Sequence, residues 1–374
     1  MRIKLVHFTS SLKIGGAETT LYYLVEQLAY ENFDQIVLYV HDGPYRERLQ
    51  KLGIPCHQIS GSFFRYDLFF FGRLYRLLKK LQPDCLHTLL WSANNAGRVV
   101  ARLLGIPVVS VMHNNVEQDG LLRNMLDWCT IRAATRLVAV SDEVAQGVLQ
   151  KYRVESALKV IKNGVDYDEI GKKSSQLRKN RYAFGFSHEH LVIGTVGRLE
   201  PVKRYDLLLE GFAAFLEHVP HARLLIVGSG SQESLLRDQA EKRGLLGAAP
   251  HVRFVHDSPA YGYYPIMDIF VQTSDKEGIS LALLEAMSLG LACVVTHAGT
   301  RHPVITHAVD GMVIQSGNPA ELAEILAVLG VNQQLRKELG ACAQKKVQQE
   351  FSQRAMHAAY SHLFANLALC RVKI

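Results

Sequence analysis

Twice along the chain, short runs of β-branched and other apolar residues alternate with longer stretches whose apolar residues recur every three to four positions. That alternation is the pattern of parallel βαβ units. In the first half, strands are predicted over 3–8, 35–40, 84–87, 107–112, 136–140 and 158–161, with amphipathic helices over 17–31, 67–81 and 121–134 among the connections. The pattern restarts with strands over 191–196, 223–227, 252–256, 268–272 and 292–296, and ends in helices over 320–329, 333–349 and 352–369. With 374 residues and roughly 150 per domain, the chain divides into two doubly wound α/β domains. The predicted boundaries are 1–170, a linker over 171–187, 188–351, and a last helix in 352–374. Open parallel sheets bind ligands outside the carboxyl ends of their strands, so the loops there are searched first.

Composition narrows the partners. The charged fraction, 21%, and the hydrophobic fraction, 48%, are those of a folded globular chain. The formal net charge of +7 favours an anionic partner without choosing among nucleotide, nucleic acid and lipid headgroup. Stacking aromatics are not interleaved with the basic residues, which argues against nucleic acid. Six cysteines are scattered with no C-x-x-C pair, as expected for reduced thiols. The first residues lack a signal-peptide core, and no run approaches the roughly 20 apolar residues of a membrane span. A cytoplasmic protein is expected.

Three loops carry candidate chemistry. After the first predicted strand, Gly15-Gly16-Ala17-Glu18 opens a helix, where backbone N–H groups can meet a phosphate, though a tight turn explains the pair equally well. The second domain opens with Gly197-Arg198-Leu199-Glu200-Pro201-Val202-Lys203, which puts Arg198 and Lys203 on one turn after a strand, within reach of one anion. The segment from Ser274 to Gly290 says most. Gly278 permits a sharp turn after a strand, and a helix starts near Ser280 with free N–H groups suited to a diphosphate. Glu277 precedes that helix and Glu285 lies within it, flanked by Leu284, Ala286 and Met287. A carboxylate on so apolar a face needs a partner, and a ribose diol would serve.

Glu277 and Glu285 within E-G-I-S-L-A-L-L-E-A-M-S-L-G, the G-R-L-E-P-V-K-R run, the G-G-A-E loop and N-G-V-D (Asn163 to Asp166) together resemble the retaining glycosyltransferases of family 4, also called glycosyl transferases group 1. The resemblance spans nearly the whole chain. It implies the GT-B fold, two facing Rossmann-like domains with a central cleft, the first serving the acceptor and the second the nucleotide-sugar donor. It further implies hexosyl transfer with retention, by front-face attack in which the departing phosphate takes the acceptor's proton, with no metal and no cofactor. By the same resemblance, Gly15 and Gly16 contact the donor phosphate, Arg198 and Lys203 neutralise the diphosphate, and Gly278, Ile279, Ser280 and Leu281 bind it through backbone N–H groups. Glu277 then holds sugar hydroxyls, Glu285 the ribose, and His113 lies beside the sugar. The last helix is expected to cross back to the first domain. Members commonly carry a glutamate where this chain has Pro303 within Ala298–Pro303, which alters one wall of the sugar pocket.

Other signals weigh less. Asp166-Tyr167-Asp168 has the form of a metal-binding D-x-D but follows a turn and reads better as a helix cap. His188-Glu189-His190 lacks further ligands and fits a solvated turn. Phe63, Phe64, Phe69, Phe70 and Phe71 precede Arg73, Arg76, Lys79 and Lys80, which suits either a helix packed on the first domain or contact with an anionic bilayer. A UDP- or GDP-linked donor, a glycan or lipid-linked acceptor, and glycolipid, lipopolysaccharide or polysaccharide assembly at the inner membrane face are the expected setting. A nucleotide-sugar epimerase or hydrolase, or a non-catalytic binder of anions, is the alternative.

Overall fold

Seven parallel strands in the order β3-β2-β1-β4-β5-β6-β7 form the first sheet. The structure, a computed structural model, describes residues 2–61, 68–113, 121–247, 250–257, 259–275, 277–297 and 304–371. The first unit comprises residues 1–163 and 354–374. Its elements run β1 (Ile3–Ser11), α1 (Gly16–Leu28), β2 (Phe33–His41), α2 (Pro44–Lys51), β3 (Cys56–Gln58), α3 (Leu68–Leu81) and β4 (Cys85–Leu89). They continue with α4 (Trp91–Leu104), β5 (Val108–Met112), α5 (Leu121–Thr130), β6 (Arg136–Ala139), α6 (Asp142–Tyr152) and β7 (Leu158–Val160). β4 and β5 are buried at every position, because helices cover both faces of the sheet. β3 has no counterpart among the predicted strands: it has three residues, two of them exposed, too short to show an alternation.

Leu21, Leu24 and Leu28 of α1 pack on one face of this sheet, with Val144 and Val148 of α6. Phe70, Leu74 and Leu78 of α3, with Ala93, Ala96 and Val100 of α4, cover the other. The aromatic run before Arg73 is therefore partly core: Phe70 is buried and Phe71 packs against it, while Phe69 is 76% exposed. Phe63 and Phe64 lie outside the described residues. A buried polar network joins α4 to α5. Arg98 pairs with Asp127 at 2.9 Å, and Asp127 also accepts from Trp91 Nε1 at 2.9 Å and Asn95 Nδ2 at 3.1 Å. The sheet is completed from far along the chain, since α13 (Gln353–Arg371) contributes Met356, Tyr360, Leu363, Phe364 and Leu367 to the α1 side of the core.

The second unit, residues 164–353, holds six parallel strands in the order β10-β9-β8-β11-β12-β13. It runs α7 (Tyr167–Gln176), β8 (Leu191–Val196), α8 (Tyr205–Leu216), β9 (Ala222–Val227), α9 (Glu233–Lys242) and β10 (Val252–Val255). β11 (Ile269–Gln272), α10 (Leu281–Ser288), β12 (Ala292–His297), β13 (Met312–Gln315), α11 (Pro319–Val331) and α12 (Gln333–Glu350) follow. β13 is a further strand the periodicity did not reveal; its four residues follow directly on a turn.

The expected linker, 171–187, is part of this second unit. Ser174 and Phe186 of the segment are buried in that unit, so the segment is amphipathic rather than merely solvated. Three of its five basic residues meet carboxylates outside it: Lys173 pairs with Glu169, Lys179 with Asp257 at 2.7 Å, and Arg181 with Asp268 at 2.9 Å. The N-G-V-D motif has a steric reason. Val165 N donates to Phe351 O at 2.9 Å, and a Cβ on Gly164 would fall 2.5 Å from the Ser352 carbonyl carbon. Asp166 caps α7 by accepting from Glu169 N at 2.9 Å, the capping role expected of it.

Candidate active site

Strand order reverses in the second unit between β8 and β11, and such a switch point opens a crevice at the carboxyl ends of the two strands. Both informative loops leave from there, residues 197–204 after β8 and 273–280 after β11. They are stitched together. Thr273 Oγ1 donates to the Lys203 and Arg204 carbonyls at 2.9 Å each, and Asp275 N donates to Val202 O at 2.9 Å.

Across this seam Lys203 Nζ forms an ion pair with Glu277 Oε2, both side chains largely shielded from solvent. Arg204 is committed to structure: its guanidinium meets Asp206 at 3.0 Å and Asp275 at 3.2 Å, and Asp275 also accepts from Ser316 Oγ at 2.9 Å. Arg198, by contrast, is exposed and makes no side-chain hydrogen bond or ion pair among the described residues. Among the described residues an unpaired cation, Arg198, and a closely paired one, Lys203, thus sit on one turn, with the start of α10 on the facing loop. There Ser280 caps the helix, accepting from Leu283 N at 3.4 Å, and Gly278, Ile279 and Ser280 are buried. Lys276 lies outside the described residues.

Glu285 lies on α10 and is already hydrogen-bonded. Tyr264 Oη donates to its Oε2 at 2.6 Å. Burial pushes this carboxyl up to about 7, against the hydroxyls of Tyr264 and Tyr261 and the charge of Lys173, which pull it down.

The β9 loop, outside the three motif loops, supports the β8 loop backbone to backbone. Leu199 N donates to Ser229 O and Gln232 N to Leu199 O, both at 2.9 Å. Gly228 adopts φ +148°, and a Cβ there would fall 1.9 Å from Gly197 O, so only glycine fits. The signal was available as Gly228-Ser229-Gly230-Ser231 directly after a predicted strand.

The first unit carries the remaining candidates. Gly15 is the N-cap and Gly16 the first residue of α1, with no side-chain cap on its N–H groups. His113 follows β5; burial lowers its pKa to about 4, and its Nε2 has no hydrogen-bond partner among the described residues. It is neutral at pH 7. Near it, His7 Nδ1 and His87 Nδ1 share a hydrogen bond of 2.9 Å, and burial lowers both imidazoles. The structure brings Lys203 and Glu277 together on one unit with Arg198 and the start of α10, and Gly15, Gly16 and His113 belong to the other unit. Ala298 to Pro303 lie outside the described residues.

Comparison with known proteins agrees with this architecture. Residues 178–346 match the family described as Glycosyl transferases group 1, and residues 14–169 match Glycosyltransferase Family 4. The UDP-Gal:alpha-D-GlcNAc-diphosphoundecaprenol alpha-1,3-galactosyltransferase of Escherichia coli is 28% identical over 335 residues, 84% of each chain. The D-inositol 3-phosphate glycosyltransferase of Corynebacterium jeikeium is 26% identical over 75% of this chain and 72% of its own length. Among solved structures, Anabaena HepE in complex with UDP-glucose superposes with a TM-score of 0.85 at 21% identity, covering 98% of this chain and 100% of that one.

Proposed function

This chain belongs to the glycosyltransferases of group 1 and family 4, with the Rossmann-like domains of the GT-B fold, and from that membership we propose that it moves a hexose from a UDP- or GDP-linked donor to an acceptor hydroxyl with retention of configuration. The observation that carries the reading is the Lys203–Glu277 pair at the β8/β11 switch point, beside the start of α10. A nucleotide sugar carries an anionic diphosphate next to a ring of hydroxyls. It can split that pair, taking Lys203 on its phosphate and Glu277 on its sugar.

Breaking the anomeric carbon–oxygen bond loads charge onto the leaving diphosphate. Lys203, Arg198 and the N–H groups of Gly278, Ile279, Ser280 and Leu281 are preorganised donors for that charge, in the role a divalent metal would otherwise fill. The acceptor oxygen attacks on the face the diphosphate leaves, and its proton passes to the departing phosphate oxygen. Glu285 accepts the ribose hydroxyls. Gly15 and Gly16 offer N–H groups to the donor phosphate, and neutral His113 lies beside the sugar. Binding to the native state raises its stability, so UDP- or GDP-linked hexoses should raise Tm by several degrees in a panel that includes ADP-sugars. No shift with any of them overturns the donor reading, and NMR of the product showing inversion overturns retention.

The Escherichia coli relative's name specifies a diphosphoundecaprenol-linked acceptor. For this chain we infer a glycan or lipid-linked acceptor, used in glycolipid, lipopolysaccharide or polysaccharide assembly, with contact at the cytoplasmic membrane face. Supporting the contact, α5 turns Leu122, Met125 and Trp128 outward at 50%, 57% and 58% exposure, with exposed Arg123 and Arg132, while its one carboxylate, Asp127, is buried. Apolar side chains rimmed by cations suit an anionic bilayer. Co-sedimentation with phosphatidylglycerol-containing vesicles should fall several-fold for Leu122→Ser combined with Trp128→Ser. Equal pelleting of wild type and variant removes α5 from the reading.

A further inference from the structure

Glu285 is the one charged residue of α10, whose sequence is otherwise Leu, Ala, Met and Ser. Three side chains from outside that helix converge on it. Tyr264 is fully buried, and its hydroxyl donates to Glu285 Oε2 at 2.6 Å, with a longer contact of 3.3 Å to Ala282 O. A phenylalanine would fill the same core position, so the hydroxyl is the feature that packing alone does not require. The half-buried Tyr261 hydroxyl pulls the same carboxyl down as well. Lys173 of α7 lies with Nζ 5.4 Å from the Tyr261 ring centroid, is paired with Glu169 one turn earlier, and acts on Glu285 through its charge. From β12 the Cys293 thiol, which burial raises far above its ordinary value, stays neutral.

We propose that Tyr264 and Tyr261, backed by Lys173, are positioning residues that fix the Glu285 carboxylate and aim it at the ribose of the nucleotide. The proposal rests on the ribose role of Glu285 given above. A carboxylate offers about four acceptor positions; two phenolic donors fix its plane and leave two positions for a vicinal diol. Without those donors, desolvation favours the neutral acid, which keeps less acceptor capacity and is free to rotate.

The test is calorimetric titration of UDP into the full-length protein between pH 6 and pH 9. In the wild type, affinity rises with pH as Glu285 ionises around its value of about 7. Tyr264→Phe removes a donor to the charged form, so the midpoint moves to higher pH, binding at pH 7 weakens by about tenfold, and affinity largely returns at pH 9. Tyr261→Phe, a change nearer the surface, should shift the midpoint in the same direction and serves if Tyr264→Phe does not fold. A purely structural tyrosine would weaken binding equally at every pH, and an unmoved midpoint in both variants overturns the proposal. Glu285→Gln separates the two claims. If it binds UDP as the wild type does, the ribose role falls and the positioning role with it. If it weakens binding and flattens the profile while both tyrosine variants leave the midpoint in place, the positioning role alone falls.

Discussion

Glu277→Ala is expected to lower kcat by about 10²–10³-fold, the range seen when one preorganised polar group at a reacting centre is removed, with the fold intact. The residue lies in the loop before α10, and the side chain's one ion-pair partner among the described residues is Lys203. The pair is shielded but not fully buried, at 17% and 24% side-chain exposure, and Lys203 can turn to solvent once Glu277 is gone, so Tm should fall by no more than a few degrees. The catalytic loss has a different source. With Glu277 gone the donor sugar loses the acceptor that fixes its hydroxyls, while Lys203 remains free for the diphosphate. Nucleotide affinity, measured with UDP alone, should therefore be kept or improved. Turnover near wild type would show that the pair is only structural. Lost UDP affinity would show that Glu277 serves the nucleotide rather than the sugar.

Asp127→Ala should have the largest effect on stability, about 3–5 kcal/mol lost from the first unit, because breaking a buried ion pair leaves an uncompensated charge. Arg98 is fully buried, and burial already lowers its pKa against the raising influence of Asp127. Without that carboxylate its neighbours are Ser110 Oγ at 3.1 Å, the Met112 sulfur at 3.2 Å and Thr130 Oγ1 at 3.5 Å, none of them charged. Trp91 Nε1 and Asn95 Nδ2 lose an acceptor as well. Replacing both partners together, Arg98→Leu with Asp127→Leu, should recover much of the loss, since the penalty comes from the stranded charge and not from a missing attraction. Urea denaturation of the three proteins checks this, and a loss below about 1 kcal/mol in Asp127→Ala would mean that water reaches Arg98.

Much of the fold was legible because strands covered on both faces must be apolar throughout, as β4 and β5 are, and because helices on a sheet must repeat their apolar residues at the helical period. β3 and β13 escaped because three or four residues carry too few repeats to show a period. The basic run over 171–187 looked like a linker because its carboxylate partners Asp257 and Asp268 are distant in sequence. Gly228 was visible as a glycine, but not as the point where the β9 loop presses on Gly197.

By itself, then, the sequence determined two doubly wound units and the two loops on which a nucleotide sugar would be held, since periodicity and local turn chemistry are properties of neighbours along the chain. Only the tertiary structure decided which charges meet. Lys203 and Glu277 are 74 positions apart, Tyr264 and Glu285 are 21 apart, and α13 completes a core begun by β1. Such pairings depend on strand order and on which loops the switch point brings side by side. Desolvation then sets the charge state of Glu285 and His113, and it acts only once the chain has folded around them.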